Sequence, residues 1–226
     1  MTLMYKLSPS DLTFLWSECP RCFYLKVVRG MDRPRMAMPA IFTRIDRLMK
    51  EFFMDLPAAA ISPGLPAGKM RLADSWVVSE PIVLSEDRAC GYIRGKLDAV
   101  LEFADGSYGI VDFKTTEPKP EHVSFYSRQL HAYAYALEHP APAKLSLSPI
   151  RRLGLLSMEP QGMDRGADGR VGYVGRLTWQ EIPRDDGAFL DFLSQVLALL
   201  KQPEPPAGSA DCPWCAYRQQ ARETGL

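Results

Sequence analysis

The chain has 226 residues, enough for one large domain, or one domain with a small appendage, that buries a proper hydrophobic core. Its 46% hydrophobic and 24% charged residues are typical of a globular protein in water. Lysine plus arginine equals aspartate plus glutamate at 27 each, which excludes a strong overall basic field but not a local basic surface. No apolar run reaches the length of a membrane span and the N-terminus lacks a signal-peptide pattern, so we expect a cytoplasmic protein without membrane contact.

The first part of the chain alternates helical and loop patterns. Residues 8–18 begin with Ser-Pro-Ser-Asp, typical of a helix N-terminus, and predict a helix that ends at a Cys-Pro-Arg-Cys segment. The basic stretch 29–39 favours a solvated connector over a nucleic-acid contact. Apolar residues at helical spacing over 40–55 predict a core-facing helix, and Asp46 at the edge of its apolar face either reaches inward or is solvated. Residues 57–69, rich in Pro, Ala and Gly, predict a loop.

The second part of the chain predicts a sheet and two more helices. Residues 75–84 have a strand pattern that Pro81 interrupts, which indicates an edge strand or a bulge. Two apolar runs around Asp105-Gly106 predict a β-hairpin over 91–115. Apolar patterns predict the remaining elements, namely a helix over 124–137, strands over 152–158 and 171–179, and a helix over 186–201.

The predicted hairpin carries three charged side chains. Asp112 and Lys114 lie two residues apart on its second strand and therefore share a face. Asp98, on the first strand, joins them only if three residues or a bulge connect the strands, because a two-residue turn would set it opposite Phe113. We therefore expect a three-residue or bulged connection that brings Asp98 and Asp112 together.

The chemistry of this group indicates a metal site. Two carboxylates on buried strands are costly unless a cation compensates them. Mg²⁺ takes carboxylate oxygens together with waters and substrate phosphate oxygens, and Lys114 could then orient or deprotonate a water aimed at phosphorus. The arrangement suits phosphodiester hydrolysis. On the following helix, Gln129 and Tyr133 are four residues apart and share a face from which they could contact phosphate oxygens.

Four of the five cysteines form two Cys-x-x-Cys pairs, Cys19 with Cys22 and Cys212 with Cys215. In a reducing compartment such pairs are more often metal ligands than disulfides. Four thiolates bind either a [4Fe–4S] cluster or a structural Zn²⁺, and either one would join the two ends of the chain. We expect the remaining cysteine, Cys90, to be a small buried residue.

Three motifs together resemble the PD-(D/E)XK nuclease superfamily, specifically its RecB-like and Cas4-like branch. These motifs are Gly95-x-x-Asp98, Asp112-Phe113-Lys114 and Gln129-x-x-x-Tyr133. The segments around Cys19 and Cys212 resemble the N-terminal and C-terminal cysteine segments of Cas4-like proteins. The resemblance therefore runs from about residue 8 to about residue 221.

The resemblance implies an α/β fold with a restriction-endonuclease-like core, in which helices flank a central mixed β-sheet. It implies one nuclease-like domain over 1–226, with the segments 8–30 and 203–226 forming a small metal or cluster subdomain. The family pattern also assigns roles to site residues. Mg²⁺ or Mn²⁺ would be held by Asp98, Asp112 and the backbone carbonyl of Phe113, Lys114 would handle the attacking water, and Gln129 and Tyr133 would line the DNA path.

The sequence departs from the family pattern at two places. Asp46 stands near the position of a metal-binding histidine on the helix before the sheet, and a carboxylate there could still bind Mg²⁺ or Mn²⁺. Ala221 stands where the last cluster cysteine is expected, and Cys22, beside Cys19, could supply the fourth thiolate instead. The family favours an iron–sulfur cluster, whereas the symmetric Cys-x-x-Cys pairs suit Zn²⁺ equally well.

The leading hypothesis is a metal-dependent DNA nuclease, an exonuclease on single-stranded or end-containing DNA that works with a protein partner in DNA processing. The alternative is a nuclease-fold accessory protein that binds DNA or a partner without cutting. A third hypothesis is a structural protein with a zinc ion or cluster, in which Asp112 and Lys114 are only a buried ion pair.

Overall fold

The computed structural model describes residues 4–34, 39–83 and 90–225, and within them seven strands form one mixed sheet around β4. The N-terminal part of β4 pairs in parallel with β1 and antiparallel with β3, and its C-terminal part pairs antiparallel with β2 and β5. The sheet continues from β5 to a parallel β6 and then to an antiparallel β7. The strands are β1 (Met4–Leu7), β2 (Gly68–Val78), β3 (Ile82–Val83), β4 (Cys90–Phe103), β5 (Tyr108–Lys114), β6 (Ile150–Arg165) and β7 (Val171–Glu181).

Helices cover both faces of this sheet, and the longest, α5, forms the parallel crossover between β5 and β6. A π-helical turn (Asp11–Leu15) precedes the first of them. The mixed sheet flanked by helices that the sequence predicted is therefore confirmed. The helices are α1 (Trp16–Glu18), α2 (Pro20–Arg29), α3 (Ala40–Phe53), α4 (Ala58–Ile61), α5 (Pro120–Glu138), α6 (Asp186–Leu200) and α7 (Pro213–Glu223).

Two apolar clusters hold the layers together. The larger one packs α2, α5 and α6 on the sheet, and the smaller one packs α3 and α4. Ile110 belongs to the larger cluster and its neighbour Val111 to the smaller one, so the clusters lie on opposite faces of β5. By the same alternation, Asp112 shares the face of Ile110, beneath α5.

The loop between β4 and β5 fixes how these strands are aligned. Phe103 donates a backbone hydrogen bond to Ser107, which leaves the three residues 104–106 as the connection. Gly106 has a φ of +81°, a conformation that favours glycine because it has no Cβ. The three-residue connection expected from the sequence is thus present, and it sets the register on which the candidate site depends.

The structure corrects several boundaries predicted from the sequence. Helices α2 and α7 were not predicted, and the predicted loop over 57–69 contains α4 and the first residues of β2. The strand predicted over 75–84 is the end of β2 followed by β3, while Leu84 and residues 35–38 of the basic stretch lie outside the described residues.

The prediction of a fully core-facing helix over 40–55 was wrong in part. Met49 and Phe53 of α3 are buried. Four other apolar residues of the predicted core face are exposed, namely Ile41, Phe42, Leu48 and Phe52. Periodicity identified the helix, but α3 contacts the sheet along a narrower stripe than the spacing of its apolar residues suggests.

Within the described residues, every helix is too short or too polar to cross a bilayer.

Candidate active site and four-cysteine centre

Asp98 and Asp112 occupy opposing positions on β4 and β5. Ala99 pairs with Val111 in the antiparallel ladder, so Asp98 and Asp112 are the next pair in this register. The backbone N–H of Phe113 donates a 3.0 Å hydrogen bond to Oδ2 of Asp98. This bond ties the Asp98 carboxylate to the end of β5.

Asp112 is the most deeply buried acid of the group, with 3% of its surface exposed. The side-chain amide of Gln129 on α5 donates a 2.8 Å hydrogen bond to its Oδ1, and the Lys114 ammonium contacts its Oδ2. Burial is the main cause that raises the pKa of Asp112 to about 6, against the opposing positive charge of Lys114. The sequence predicted that Asp112 and Lys114 lie side by side, and the structure places them in contact. The contact between Gln129 and Asp112 was not predicted.

Lys114 lies between Asp112 and an aromatic ring. Its ammonium is 4.1 Å from the ring centroid of Tyr126, a cation–π distance. Burial acts to lower the pKa of Lys114, but the neighbouring Asp112 carboxylate raises it above its usual value. The side chain is therefore a fixed ammonium that points at the carboxylate pair.

Tyr133 lies one helical turn after Gln129, as their spacing predicted. Its hydroxyl group, however, forms a hydrogen bond with the main chain. It donates a 2.8 Å hydrogen bond to the carbonyl oxygen of Lys96 on β4. Burial and the negative charges of the nearby Asp112 and Asp98 raise the pKa of Tyr133.

Gly95 allows this close packing of α5 on β4. A Cβ at Gly95 would lie 2.7 Å from Cδ of Pro9 and 3.1 Å from Cε1 of Tyr133. The Gly-x-x-Asp motif therefore has glycine at this position for a steric reason, because a larger residue would push Tyr133 away from the strand.

Lys50 on α3 belongs to the site, and sequence reasoning missed it. Its ammonium lies 2.8 Å from Asp46 Oδ2, 3.0 Å from Asp74 Oδ1 and 3.0 Å from Asp98 Oδ1. Burial acts to lower the pKa of Lys50, but the hydrogen bond with Asp46 and the charge of Asp98 raise it. The signal in the sequence was the spacing of Asp46 and Lys50, four residues apart on one helix. The Asp46 carboxylate, expected as a metal ligand, pairs with this lysine.

The donor set around Asp112 fits a hard divalent cation. Besides the two carboxylates, two buried oxygen atoms, Gln129 Oε1 and Ser157 Oγ, have no hydrogen-bond partner among the described residues. Ser157 stands opposite Lys114 in the pairing of β5 with β6. Buried polar atoms normally have a hydrogen-bond partner, so these two oxygens are unusual. Carboxylate, amide and hydroxyl oxygens are also the atoms that Mg²⁺ and its hydration waters contact in proteins.

The four predicted cysteine ligands meet at one point. Their sulfur atoms all lie within 4.8 Å of one another. The distance from Cys19 Sγ to Cys215 Sγ is 3.7 Å, and Cys22 Sγ is 3.7 Å from Cys212 Sγ and 3.8 Å from Cys215 Sγ. The α1–α2 junction and the start of α7 are thus held together at a four-sulfur centre.

Two arginines point at these sulfurs. Arg33 Nη2 is 3.5 Å from Cys212 Sγ, and Arg218 Nη1 is 3.5 Å from Cys22 Sγ. Burial acts to raise the pKa of the Cys19 thiol, but hydrogen bonds from the backbone of Ser209 and Cys22 lower it to about 6. The surroundings of Cys19 thus favour the thiolate, the form that binds metal ions, whereas burial and the neighbouring cysteines raise the pKa of Cys215 to about 12. Arg33 thus gives the basic stretch after α2 a contact with this centre.

One comparison with known proteins identifies the superfamily of this chain. A family model of the PD-(D/E)XK nuclease superfamily matches residues 67–220, which include β4, β5 and α5. No curated protein matches the sequence. Among solved structures, the chain is similar to one described as "Crystal structure of SSO0001", with 13% sequence identity and a TM-score of 0.48, over 95% of this chain and 84% of the other.

Proposed function

Because the chain belongs to the PD-(D/E)XK nuclease superfamily, we propose that it is a Mg²⁺- or Mn²⁺-dependent DNA nuclease that hydrolyses phosphodiester bonds. The observation that carries the proposal is the opposed pair Asp98 and Asp112 with the Lys114 ammonium in contact with Asp112. The order of the hairpin, the Gln–Tyr helix and the two cysteine segments supports a place in the RecB-like and Cas4-like branch.

The residues of the site have distinct roles in this proposal. Asp98, Asp112 and the backbone carbonyl of Phe113 would hold the divalent ion, which would supply charge stabilisation to the phosphate. Lys114 orients the attacking water and donates to a phosphate oxygen, because its ammonium is fixed beside Asp112. Gln129 keeps the Asp112 carboxylate in place through its 2.8 Å hydrogen bond.

A group of aromatic rings beside Lys114 supports single-stranded or end-containing DNA as the substrate. Phe14 and Phe125 are 37% and 36% exposed, and their ring centroids lie 5.2 Å apart. Tyr126, whose ring lies at the Lys114 ammonium, is 5.1 Å from Phe125 and 5.7 Å from Phe14. We call Phe14, Phe125 and Tyr126 the aromatic platform. Bases stack on such rings in single strands, whereas a duplex keeps its bases stacked inside.

Positive charge borders the aromatic platform. Arg128 donates a 3.3 Å hydrogen bond to Ser17 Oγ, and its guanidinium lies 4.1 Å from the ring centroid of Phe192. A cavity of about 420 Å³ next to the platform is lined by Ser17, Glu121, His122, Ser124, Phe125 and Arg128. A fixed guanidinium next to exposed rings is the combination that binds the backbone and bases of a single strand.

Release of labelled nucleotides from single-stranded DNA with Mg²⁺ or Mn²⁺ tests the proposal. We expect the wild type to cut and both Lys114→Ala and Asp112→Ala to lose cutting at equal folded concentration. Lys69→Ala is the matched control, because Lys69 is an exposed lysine paired with Asp55. A folded wild type that binds DNA and releases no nucleotide would instead favour the accessory protein that binds without cutting.

For the four-cysteine centre we propose a structural Zn²⁺ rather than a [4Fe–4S] cluster. A tetrahedral ion with zinc–sulfur bonds of about 2.3 Å places its sulfurs about 3.8 Å apart. The distances of 3.7, 3.7 and 3.8 Å between cysteine sulfurs support this geometry. A cubane cluster holds each thiolate on a different iron with sulfides between them, which needs a wider spacing.

Elemental analysis of protein purified without oxygen tests this assignment. We expect one zinc per chain, no sulfide and no visible absorption band, and we expect Cys22→Ser to lose the zinc. Four irons with sulfide per chain would contradict the assignment and restore the cluster expected from the family.

A further inference from the structure

The ammonium of Lys50 has all its donors matched by carboxylate oxygens. Asp46 Oδ2, Asp74 Oδ1 and Asp98 Oδ1 lie 2.8 to 3.0 Å from it. An ammonium has three N–H donors and no acceptor, so these three oxygens satisfy it fully. Only 7% of the Lys50 side chain is exposed, which leaves it no room to contact a substrate.

The three carboxylates come from three different elements and converge on one point. Asp46 lies one turn before Lys50 on α3, and Asp98 lies on β4. Asp74 lies on β2 between Ala73 and Ser75, which pair with Ala99 and Leu97, so its position is opposite Asp98. Three carboxylate oxygens thus surround the Lys50 ammonium at hydrogen-bond distance and compensate its charge.

The backbone at Asp74 is in the left-handed conformation, with a φ of +53°. Aspartate adopts this conformation more readily than most residues other than glycine. Its carboxylate is held there by Lys50 and by Lys96, whose ammonium is 2.9 Å away. The chain thus places a third acid next to the carboxylate pair and neutralises it with lysines.

We propose that Lys50 is a built-in cation in the position of a second metal ion, so that the site binds a single divalent ion, at Asp98 and Asp112. Nucleases that use two metal ions hold them about 3.5–4 Å apart between shared carboxylates. Here the α3 side of Asp98 is already occupied by an ammonium, which repels a second cation. The inference rests on the proposed function, because it concerns the ion of the nuclease site.

The charges of the described residues around Asp98 indicate how loss of the Lys50 charge would change the binding of divalent ions. Four carboxylates, of Asp46, Asp74, Asp98 and Asp112, face three ammonium groups, of Lys50, Lys96 and Lys114. Removal of Lys50 leaves two uncompensated negative charges instead of one, and, unlike removal of Lys96, it also frees the Asp98 oxygen that the ammonium contacts. Divalent ions should therefore bind more tightly, or in larger number, when Lys50 loses its charge.

Under this inference, Asp46 acts through Lys50 and not as a metal ligand. Its Oδ2 is the closest of the three carboxylate oxygens to the ammonium. Asp46 is therefore a positioning residue that keeps Lys50 directed at Asp98, and its own oxygens are not needed for the divalent ion.

Titration with Mn²⁺, followed by calorimetry and by electron paramagnetic resonance, tests the inference without measuring activity. We expect one Mn²⁺ per chain in the wild type and in Lys50→Arg, which keeps the charge. Lys50→Met should bind a second Mn²⁺ or bind the first at least tenfold more tightly. Lys96→Met is the matched control, because Lys96 also contacts Asp74 while Lys50 remains at Asp98, and it should keep one ion. Asp46→Asn should change the affinity less than tenfold.

Several results would overturn the inference. They are two ions per wild-type chain, unchanged binding in a Lys50→Met protein that thermal unfolding shows to be folded, or a tenfold loss of affinity in Asp46→Asn. If Lys50→Met fails to fold, Lys50→Gln replaces it under the same criteria. A wild type that binds no Mn²⁺ would overturn the proposed function as well, whereas two ions with active cutting would overturn this inference alone.

Discussion

Gln129 on α5 donates a 2.8 Å hydrogen bond from its side-chain amide to Oδ1 of Asp112 on β5. The bond crosses from the helix layer to the sheet, and its acceptor is a buried carboxylate. A carboxylate that binds a metal ion needs a fixed orientation, and a hydrogen bond from outside the ligand shell commonly provides it. This relationship makes Gln129 the first residue to test outside the Asp98, Asp112 and Lys114 group.

The Gln129→Met variant should lower Mn²⁺ affinity or cutting by about 10–100-fold, the usual effect of losing such a support. Methionine keeps the length of the side chain but not the donor, so the fold should remain. Affinity and cutting rate are measured on the same preparation. Gln180→Met is the control, because the Gln180 amide donates to the Lys119 backbone. An unchanged Gln129→Met protein would show that Asp112 needs no support from α5.

Gly95→Ala should destabilise the fold by about 1–3 kcal/mol, because the added methyl group would overlap Pro9 and press on the Tyr133 ring. The measurement is the free energy of unfolding in denaturant. Gly162→Ala is the matched control, since a Cβ at Gly162 has no atom within 4 Å among the described residues. Equal stability of the two variants would mean that α5 can shift away from β4 without a loss in the free energy of unfolding.

Phe125→Ala should weaken binding of single-stranded DNA by about 1–3 kcal/mol, the contribution of one stacked base. Phe125→Trp should preserve the affinity, because the larger ring still stacks. Fluorescence anisotropy with the Asp112→Ala protein as background avoids cutting during the measurement. Tyr173→Ala removes a 62% exposed ring on β7 and serves as control. Equal losses for single-stranded and duplex DNA would argue against stacking on the aromatic platform.

Arg33→Gln should make the cysteine centre release the proposed Zn²⁺ more readily. The guanidinium of Arg33 lies 3.5 Å from Cys212 Sγ, where its positive charge attracts the negative charge of a metal-bound sulfur. Transfer of zinc to a chelator, followed over time, should be several-fold faster than in the wild type. Arg29→Gln is the control, because Arg29 contacts the backbone of Pro203 and no sulfur. Equal release from both variants would mean that the thiolates are stabilised by the metal ion alone.

The hairpin and its register could be predicted from the sequence because they are local. Asp98 and Asp112 lie on adjacent strands, and the parity of a short loop decides whether they meet. Asp105-Gly106 indicated a turn, and the three-residue connection was expected because only an odd or bulged loop brings Asp98 and Asp112 to one face. The spacing of Gln129 and Tyr133 was equally local, since one helix carries both.

The role of Lys50 could be predicted only in part. Its spacing from Asp46 indicated an ion pair on the helix, but its contacts with Asp74 and Asp98 depend on distant parts of the chain. Its partner Asp74 is 24 residues away on β2, and no local rule states that α3 inserts an ammonium between strands. A lysine within an amphipathic helix usually indicates a solvated face. The exposure of several apolar residues on α3 could not be predicted. Periodicity shows which residues of a helix are apolar, but it does not show how wide the contact between helix and sheet is.

The cysteine centre could be predicted from the sequence only in part. Its four ligands followed from two Cys-x-x-Cys pairs, and the structure brings all four sulfurs together. The choice between zinc and an iron–sulfur cluster depends on the separation of the sulfurs, which is set by the packing of α2 against the start of α7. The contact of Arg33 with Cys212 likewise required the folded arrangement of both chain ends.

The most direct test of the nuclease site is X-ray diffraction from crystals soaked in Mn²⁺, measured for anomalous scattering. The account predicts a manganese peak in contact with carboxylate oxygens of Asp98 and Asp112 and with the carbonyl oxygen of Phe113. A well-ordered site with no manganese peak between these residues would contradict it.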